Sequence, residues 1–288
     1  MNKIDMFFGS TLGPKKTLRE KPKIYSDSLI FSLAVLRILL GFDTESHFLW
    51  EIRNLWRDIF PRVPSNSVFN SRLRELNRKM EIINFYNKLL EFYKELLETR
   101  VRIIDSQPVI FKKVSRANTI NSRIYGMAVG YCPSTKEYYY GYKLHLLITE
   151  GGFPGRFMLS PASTHDNEMV MDMTYGLKDI QLLGDKGYID QEDKERLKSL
   201  RNIDKITPYK KNMKKTLSEE EKELLKLRGQ VERDFSALEV LNVKVCKAKS
   251  TSGTLTRLMT GIVSLVLIMI SNWELDRNLS VAFCPHFT

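Results

Sequence analysis

The hydrophobic pattern of this chain changes once, near residue 100, and this change limits the folds that the chain can adopt. Before residue 100, apolar residues recur every three or four positions, as on one face of a helix. Four helices are predicted there, over residues 26–40, 45–60, 65–80 and from there to about residue 97. Helices joined by short breaks permit a helix-turn-helix arrangement.

After residue 100, strand-like runs alternate with helical segments. Strands are predicted over residues 101–104, 138–149, 157–160, 180–183 and about 205–209. Helices are predicted over residues 167–177, 191–200 and 218–241, and an apolar helix follows them. This order predicts an α/β fold in which helices pack on a mixed sheet. We therefore divide the chain into a helical region (1–100), an α/β domain (101–275) and a tail (276–288).

The composition excludes several classes of protein. A hydrophobic content of 43% and a charged content of 27% are those of an ordinary globular chain. The most apolar stretch, residues 258–270, is shorter than the roughly 20 residues of a membrane span, so it is predicted to be a buried helix. Three cysteines are too few for a disulfide framework, which favours the cytosol. The formal net charge of +11 favours polyanionic partners.

Three acidic residues stand out by their positions. Asp105 and Asp185 each follow a predicted apolar strand, and Glu232 lies beside the apolar stripe of a predicted helix. Converging carboxylates repel one another unless a cation neutralises them, and Mg²⁺ prefers oxygen ligands. Each residue also has a structural alternative: the aspartates as turn or cap residues, and Glu232 as the partner of Arg228 in an ion pair. Spacing alone leaves both interpretations open.

Five motifs in one order point to a family. They are IDSQP (104–108), YGYKLHL (140–146), PASTHD (161–166), GDKGY (184–188) and VERDFS (231–236). Together they resemble the catalytic domain of bacterial and archaeal insertion-sequence transposases of the DDE type, most closely the 982 family of insertion sequences. The likeness covers about residues 25–272. It implies a ribonuclease-H-like fold in the α/β domain, preceded by a helix-turn-helix-like DNA-binding region.

The resemblance also implies a chemistry. Asp105, Asp185 and Glu232 would bind two Mg²⁺ ions, or Mn²⁺ in their place, to cut the end of the element and join the freed 3′-hydroxyl to target DNA. Double-stranded DNA is the implied partner, as terminal inverted repeats and as target. A homodimer or higher oligomer would pair two ends, in a prokaryotic cytoplasm and at the nucleoid. Three further residues in or near the motifs are candidate accessory groups: His165, Lys186 and Arg228.

Three positions need a separate interpretation. Members of the family often carry Lys or Arg seven residues after the glutamate, where this chain has Glu239, and Lys244 or Lys247 is the candidate substitute. Asp166 matches a recurring segment of the family, but it could equally cap the helix that is predicted to follow it. His165 is either an accessory group or a structural residue.

Basic residues are concentrated in two regions that we predict to contact DNA. Residues 205–257 hold 13 Lys and Arg against 7 Asp and Glu, and counterion release makes such clusters effective phosphate ligands. The lysines predicted to bind DNA are Lys210, Lys211, Lys214, Lys215, Lys244 and Lys247. The third predicted helix carries four side chains suited to major-groove contacts: Asn70, Arg72, Arg74 and Arg78. A solvated surface is the alternative for both regions.

Two other functions stay open at this point. One is a nuclease of the same fold that cuts DNA without joining it, which a lack of strand transfer from pre-cut ends would indicate. The other is a DNA-binding protein that has kept the fold and lost catalysis. Binding to the element's end without cleavage in any metal would indicate that protein.

Overall fold

The computed structural model describes residues 24–113, 126–133, 135–209, 216–241, 243 and 250–279. Its helical region contains four helices and one 3₁₀ turn. They are α1 (Asp27–Leu39), α2 (Glu45–Leu55), α3 (Asn66–Arg78), α4 (Glu81–Phe92) and the turn Lys94–Leu97. These are the four helices that the apolar spacing predicts, although α2 ends five residues earlier than expected.

Side-chain caps explain where these helices begin. The hydroxyl of Ser26 accepts a hydrogen bond from the backbone N–H of Leu29, and Ser65 caps α3 in the same way. After α1 the chain passes through Gly41 at φ 72°, a left-handed conformation that glycine adopts at little cost. The start of α1 and its end are therefore encoded locally.

Six strands form one mixed sheet. They are β1 (Val101–Lys113), β2 (Ala128–Cys132), β3 (Glu137–Thr149), β4 (Pro154–Pro161), β5 (Gln181–Leu183) and β6 (Asp204–Ile206). β3 pairs antiparallel with β1, β2 and β4, whereas β5 is parallel to β1 and β6 is parallel to β5. An antiparallel meander, β1, β3 and β4, followed by two strands parallel to its first member is the ribonuclease-H-like arrangement. The predicted α/β fold is confirmed.

The other helices and turns of the described residues belong to the α/β domain. They are the 3₁₀ turn Asp166–Met169, α5 (Val170–Met173), the 3₁₀ turn Lys186–Tyr188, α6 (Gln191–Arg201), α7 (Glu219–Lys226), α8 (Gly229–Val240) and α9 (Thr251–Glu274). The single helix predicted over residues 218–241 is wrong: the chain turns at Leu227 and Arg228 and restarts at Gly229. Glycine is a poor helix former, so a break there costs little.

Strand pairing accounts for the other differences from the prediction. β1 is much longer than the predicted run of four residues, because β3 supplies hydrogen-bond partners along nearly all of it. β2, which the sequence pattern did not predict, pairs with the first part of β3. The helix predicted over residues 167–177 is a 3₁₀ turn and one turn of α5, and the chain leaves it through Gly176 at φ 77°.

One apolar core connects the helical region with one face of the sheet. It contains buried side chains from α1 to α4, β1, β3, α8 and α9, while Ile104, Leu182 and Tyr188 belong to a second cluster. α9 is long and apolar enough to cross a membrane, but 67% of its most apolar window is buried inside the structure, as the sequence predicted for residues 258–270. The division of the chain at residue 100 stays a prediction, since this core crosses it.

Candidate active site

The register of two parallel strands brings Asp105 and Asp185 together. β1 and β5 pair with Ile103 opposite Leu183. Asp105 lies two residues beyond this pair on β1, and Asp185 lies two residues beyond it where the chain continues from β5. β5 ends at Leu183, so Asp185 lies in the loop that leaves the sheet beside Asp105.

The carboxyl group of Asp105 is buried in a region of negative charge. Burial is the main reason that its pKa is raised to about 6, and the nearby carboxylates of Asp185 and Asp166 raise it further. Two contacts act in the opposite direction. The backbone N–H of Ser106 donates to Oδ1 of Asp105 at 2.8 Å, and Nη2 of Arg228 lies 3.6 Å from Oδ2.

Asp185 is held by the turn that follows β5. It is the N-cap of the 3₁₀ turn Lys186–Tyr188, and its Oδ1 accepts a hydrogen bond of 2.7 Å from the N–H of Gly187. A Cβ on Gly187 would lie 2.9 Å from this oxygen and 3.5 Å from Oδ2 of Asp166. The two carboxylates therefore face the same small space, which a larger residue at position 187 would occupy. Asp185 is both a cap and a member of the acidic site.

Asp166 is a third carboxylate at this site, and the sequence analysis did not assign it to the site. It begins the 3₁₀ turn Asp166–Met169, whose N-cap is His165. Its Oδ1 accepts hydrogen bonds from the hydroxyl of Ser106 at 2.8 Å and from Nζ of Lys143 at 3.0 Å. Lys143 also donates to the carbonyl of Thr164. All these residues lie in the motifs, but no spacing rule links positions 106, 143 and 166.

Glu232 is placed differently from Asp105 and Asp185. The sequence pattern put it at the border of the core, but its side chain is exposed on α8. Because α8 restarts at Gly229, its buried face is formed by Val231, Asp234, Phe235 and Leu238. Arg228 and Glu232 are one turn apart and share a helix face, so Glu232 lies on the side from which Arg228 reaches Asp105.

The buried acid of α8 is Asp234. Its side chain is almost fully buried, and its Oδ2 has no hydrogen-bond partner among the described residues. Burial raises its pKa to about 8, against a smaller opposing effect of Arg233. This carboxyl group therefore holds a proton near neutral pH, unlike an ordinary surface aspartate.

The candidate accessory residues have different surroundings. Arg228 contacts Asp105, as described above, whereas His165 and Lys186 are exposed. The buried histidine of the motifs is instead His145, whose Nε2 lies 2.8 Å from the hydroxyl of Ser160. Burial lowers the pKa of His145 to about 4, so its ring is neutral at physiological pH and serves packing.

The predicted DNA-binding residues divide into two groups. Lys210, Lys211, Lys214, Lys215, Lys244 and Lys247 lie outside the described residues. On α3, Arg72 forms an ion pair with the buried carboxylate of Asp27 and also lies 3.6 Å from Glu75. Asn70 is partly buried and bonds the carbonyl of Asn66, while Arg74 and Arg78 are exposed. Arg72 therefore contributes to the packing of the helical region, and Arg74 and Arg78 present their charges to solvent.

The donor chemistry of the site suits a hard divalent cation in part. Asp105 and Asp185 offer carboxylate oxygens on adjacent strands, with Asp166 beside them, and such oxygens are what Mg²⁺ prefers. Burial is the main cause of the raised pKa of Asp105, and the carboxylates of Asp185 and Asp166 add negative charge that a cation would offset. Within the described part of the chain, however, no three His, Cys, Asp or Glu side chains are grouped closely enough to hold a metal ion. Glu232 is thus not joined to the aspartates.

A family model described as "Transposase DDE domain" matches residues 96–251, more than half of the chain. The chain belongs to this DDE transposase family. The matched stretch includes Asp105, Asp185 and Glu232, and it begins just before β1. Among curated proteins, none matches the sequence.

Solved structures with some similarity to this DDE transposase include three complexes of Mos1 transposase, each 13% identical to it. The alignment with the paired-end complex with the left transposon end covers 89% of this chain and 79% of the Mos1 chain, with a TM-score of 0.23. The Mos1 strand transfer complex covers 91% and 84%, with a TM-score of 0.24. The pre-cleavage Mos1 transpososome covers 86% and 80%, with a TM-score of 0.22. TM-scores this low do not establish a shared fold, and the ribonuclease-H-like fold is assigned from the strand order.

Proposed function

We propose that this transposase cleaves DNA at the ends of an insertion sequence and joins the freed 3′-hydroxyl to target DNA. The observation that supports this most strongly is the parallel register of β1 and β5, which sets Asp105 beside Asp185 within the matched domain. The five motifs favour the 982 family of insertion sequences as the source of the element. The catalytic part is proposed to be residues 101–275.

Asp105 and Asp185 would hold the divalent cations, Mg²⁺ or Mn²⁺. The family resemblance implies Glu232 as the third ligand, although this structure does not group it with the two aspartates. Bound cations of this kind activate the attacking oxygen and stabilise the leaving oxygen of a phosphodiester. The chain's own groups prepare the site: the N–H groups of Ser106 and Gly187 orient the two aspartates. Arg228 offsets the charge of Asp105 and adds a positive group beside the expected position of the phosphodiester.

DNA is the proposed partner of the whole chain. The net charge of +11 and the exposed Arg74 and Arg78 on α3 support this. We propose that the helical region, residues 1–100, recognises the terminal inverted repeats by a helix-turn-helix-like contact. A homodimer or larger assembly would hold two ends at once.

Cleavage and joining on a labelled duplex that carries the element's end test this proposal. The duplex is taken from the DNA that flanks the gene and is incubated with Mg²⁺, Mn²⁺ or EDTA. Asp105→Asn, Asp185→Asn and Glu232→Gln should each reduce product formation by on the order of 10²–10³-fold, because each removes a charged oxygen ligand of the cations that stabilise the transition state. Circular dichroism checks that each variant is folded.

Asp172→Asn is the matched control, since Asp172 is an exposed aspartate of the same domain. It should leave the activity unchanged. Full activity of any one catalytic variant would remove that residue from the site. Metal-dependent cutting without joining of pre-cut ends would indicate a nuclease, and binding without cleavage in any metal would indicate a DNA-binding protein.

A further inference from the structure

A second polar site lies between the helical region and the start of α9. It is a cavity of about 440 Å³, within the range of roughly 300–1,000 Å³ that is typical of ligand pockets. Its walls come from the end of α1, the start of α2, one face of α3 and the first turns of α9. We call it the arginine cavity, because three arginines line it: Arg37, Arg74 and Arg257.

The three arginines are held in different ways. Arg37 is 5% exposed and donates from Nη1 to the carbonyl of Phe42 at 3.0 Å. Arg74 is exposed, and its Nε donates to the carbonyl of Asn70. Nε of Arg257 is buried and has no hydrogen-bond partner among the described residues. Guanidinium donors that converge on one cavity are a common arrangement for binding phosphate.

Two acidic residues, Asp43 and Glu45, also line the cavity. Burial lowers the pKa of Arg37 and the charge of Arg257 lowers it further, while Glu45 and Asp43 raise it. The two carboxylates therefore offset part of the positive charge of the wall. Three arginines against two carboxylates leave the wall net positive, and Arg74 and Arg257 are the candidate groups for an incoming anion.

The surroundings add positive potential to the cavity. Ser250, the N-cap of the 24-residue helix α9, lines it, so the positive end of that helix dipole points to this region. On α3, Asn70 and Arg74 both line the cavity, and Arg78 follows four residues later, about 6 Å along the helix axis.

We propose that the arginine cavity receives a phosphate of the DNA backbone, so that α3 of the helical region and α9 of the α/β domain hold DNA together. This inference rests on the proposed function for the presence of DNA. Phosphate contacts position a protein on the duplex without reading its sequence. The cavity would therefore fix the orientation of the helical region on DNA relative to the acidic site.

The salt dependence of DNA binding tests the proposal. Fluorescence anisotropy of a short labelled duplex of mixed sequence gives the binding constant of the full chain over a series of salt concentrations. The double variant Arg74→Ala/Arg257→Gln should reduce the slope of log K against log salt by about 0.9, the value for one lost phosphate contact. The charge-conserving variant Arg74→Lys/Arg257→Lys should keep most of the slope.

Arg196→Ala is the matched control, because Arg196 is an exposed arginine on α6 that is absent from the cavity wall. Its slope should equal that of the wild type, and thermal melts verify that all variants fold. An unchanged slope in the double variant, or an equal loss in the control, would overturn the proposal.

Further outcomes separate this inference from the proposed function. Inorganic pyrophosphate could stabilise the wild type and not the double variant, while the double variant keeps the salt slope of DNA binding. That result would assign the cavity to a free phosphate compound and overturn the proposal that it binds DNA. If the double variant has a reduced slope but the wild type joins no DNA, the proposal for the cavity would stand and the proposed transposition would be wrong. If the wild type binds no duplex, both proposals fail.

Discussion

The acidic site at the sheet edge and the arginine cavity gather opposite charges by different means. At the acidic site, the register of β1 and β5 aligns Asp105 with Asp185, and backbone N–H groups orient both carboxylates. In the arginine cavity, three side chains come from three helices that are far apart in the chain, Arg37 on α1, Arg74 on α3 and Arg257 on α9. The acidic site therefore depends on strand pairing, whereas the cavity depends on the apolar core that joins the helices.

Asp166→Ala is expected to have the largest effect, and it should affect the acidic site without affecting the arginine cavity. The substitution removes the acceptor that holds Ser106 and Lys143 beside Asp105. A misplaced catalytic group costs on the order of 10²-fold, so we expect that loss in DNA joining, with the salt slope of DNA binding unchanged. Asp172→Ala, at an exposed aspartate, should change neither quantity. A loss of DNA binding in Asp166→Ala would show that the two sites are not separable.

His145 is expected to make the free energy of unfolding depend on pH. Its pKa is about 4 in the folded chain, because of burial, and about 6.5 in the unfolded chain. Between these values the unfolded chain binds a proton that the folded chain does not, so the free energy of unfolding decreases as the pH falls. From pH 7 to pH 5 the loss should be about 2 kcal/mol.

Urea denaturation of the wild type and of His145→Gln at both pH values measures this loss. The variant should lack this part of the decrease, while His47→Gln, at an exposed histidine of α2, should behave as the wild type does. An identical decrease in wild type and His145→Gln would show that other groups carry the pH dependence.

In the helical region, the ion pair between Asp27 and Arg72 is expected to have a smaller effect. The carboxylate of Asp27 is 6% exposed and the side chain of Arg72 is 19% exposed. Asp27→Asn should lower the free energy of unfolding by about 1 kcal/mol, since the pair is partly shielded from water and Arg72 keeps Glu75 nearby. Lys79→Ala breaks the exposed pair with Glu75 and should cost less than about 0.5 kcal/mol. Equal costs in the two variants would contradict the role of burial.

Much of this architecture could be predicted from local sequence. Ser26 and Ser65 cap helices where the pattern indicated, because a cap involves residues within one turn. The apolar runs before Asp105 and Asp185 predicted two strands, and both strands are present. The strand order agrees with the ribonuclease-H-like fold that the resemblance implied.

Contacts between distant residues could not be predicted in this way. The length of β1 depends on β3, and the bond between Lys143 and Asp166 depends on how β3 and the 3₁₀ turn after β4 are placed. The burial of Asp234 and the exposure of Glu232 on α8 depend on which elements pack against each side of that helix.

The sequence by itself determined most of the helices and most of the strands, because caps, turns and hydrophobic periods act over a few residues. The motifs that carry the family resemblance pointed to Asp105 and Asp185 as site residues. Only the tertiary structure decided that Asp166 joins those aspartates and that Arg37, Arg74 and Arg257 share a cavity. These side chains lie far apart in the chain, and their proximity follows from strand register and from burial of the apolar faces of α1, α3 and α9.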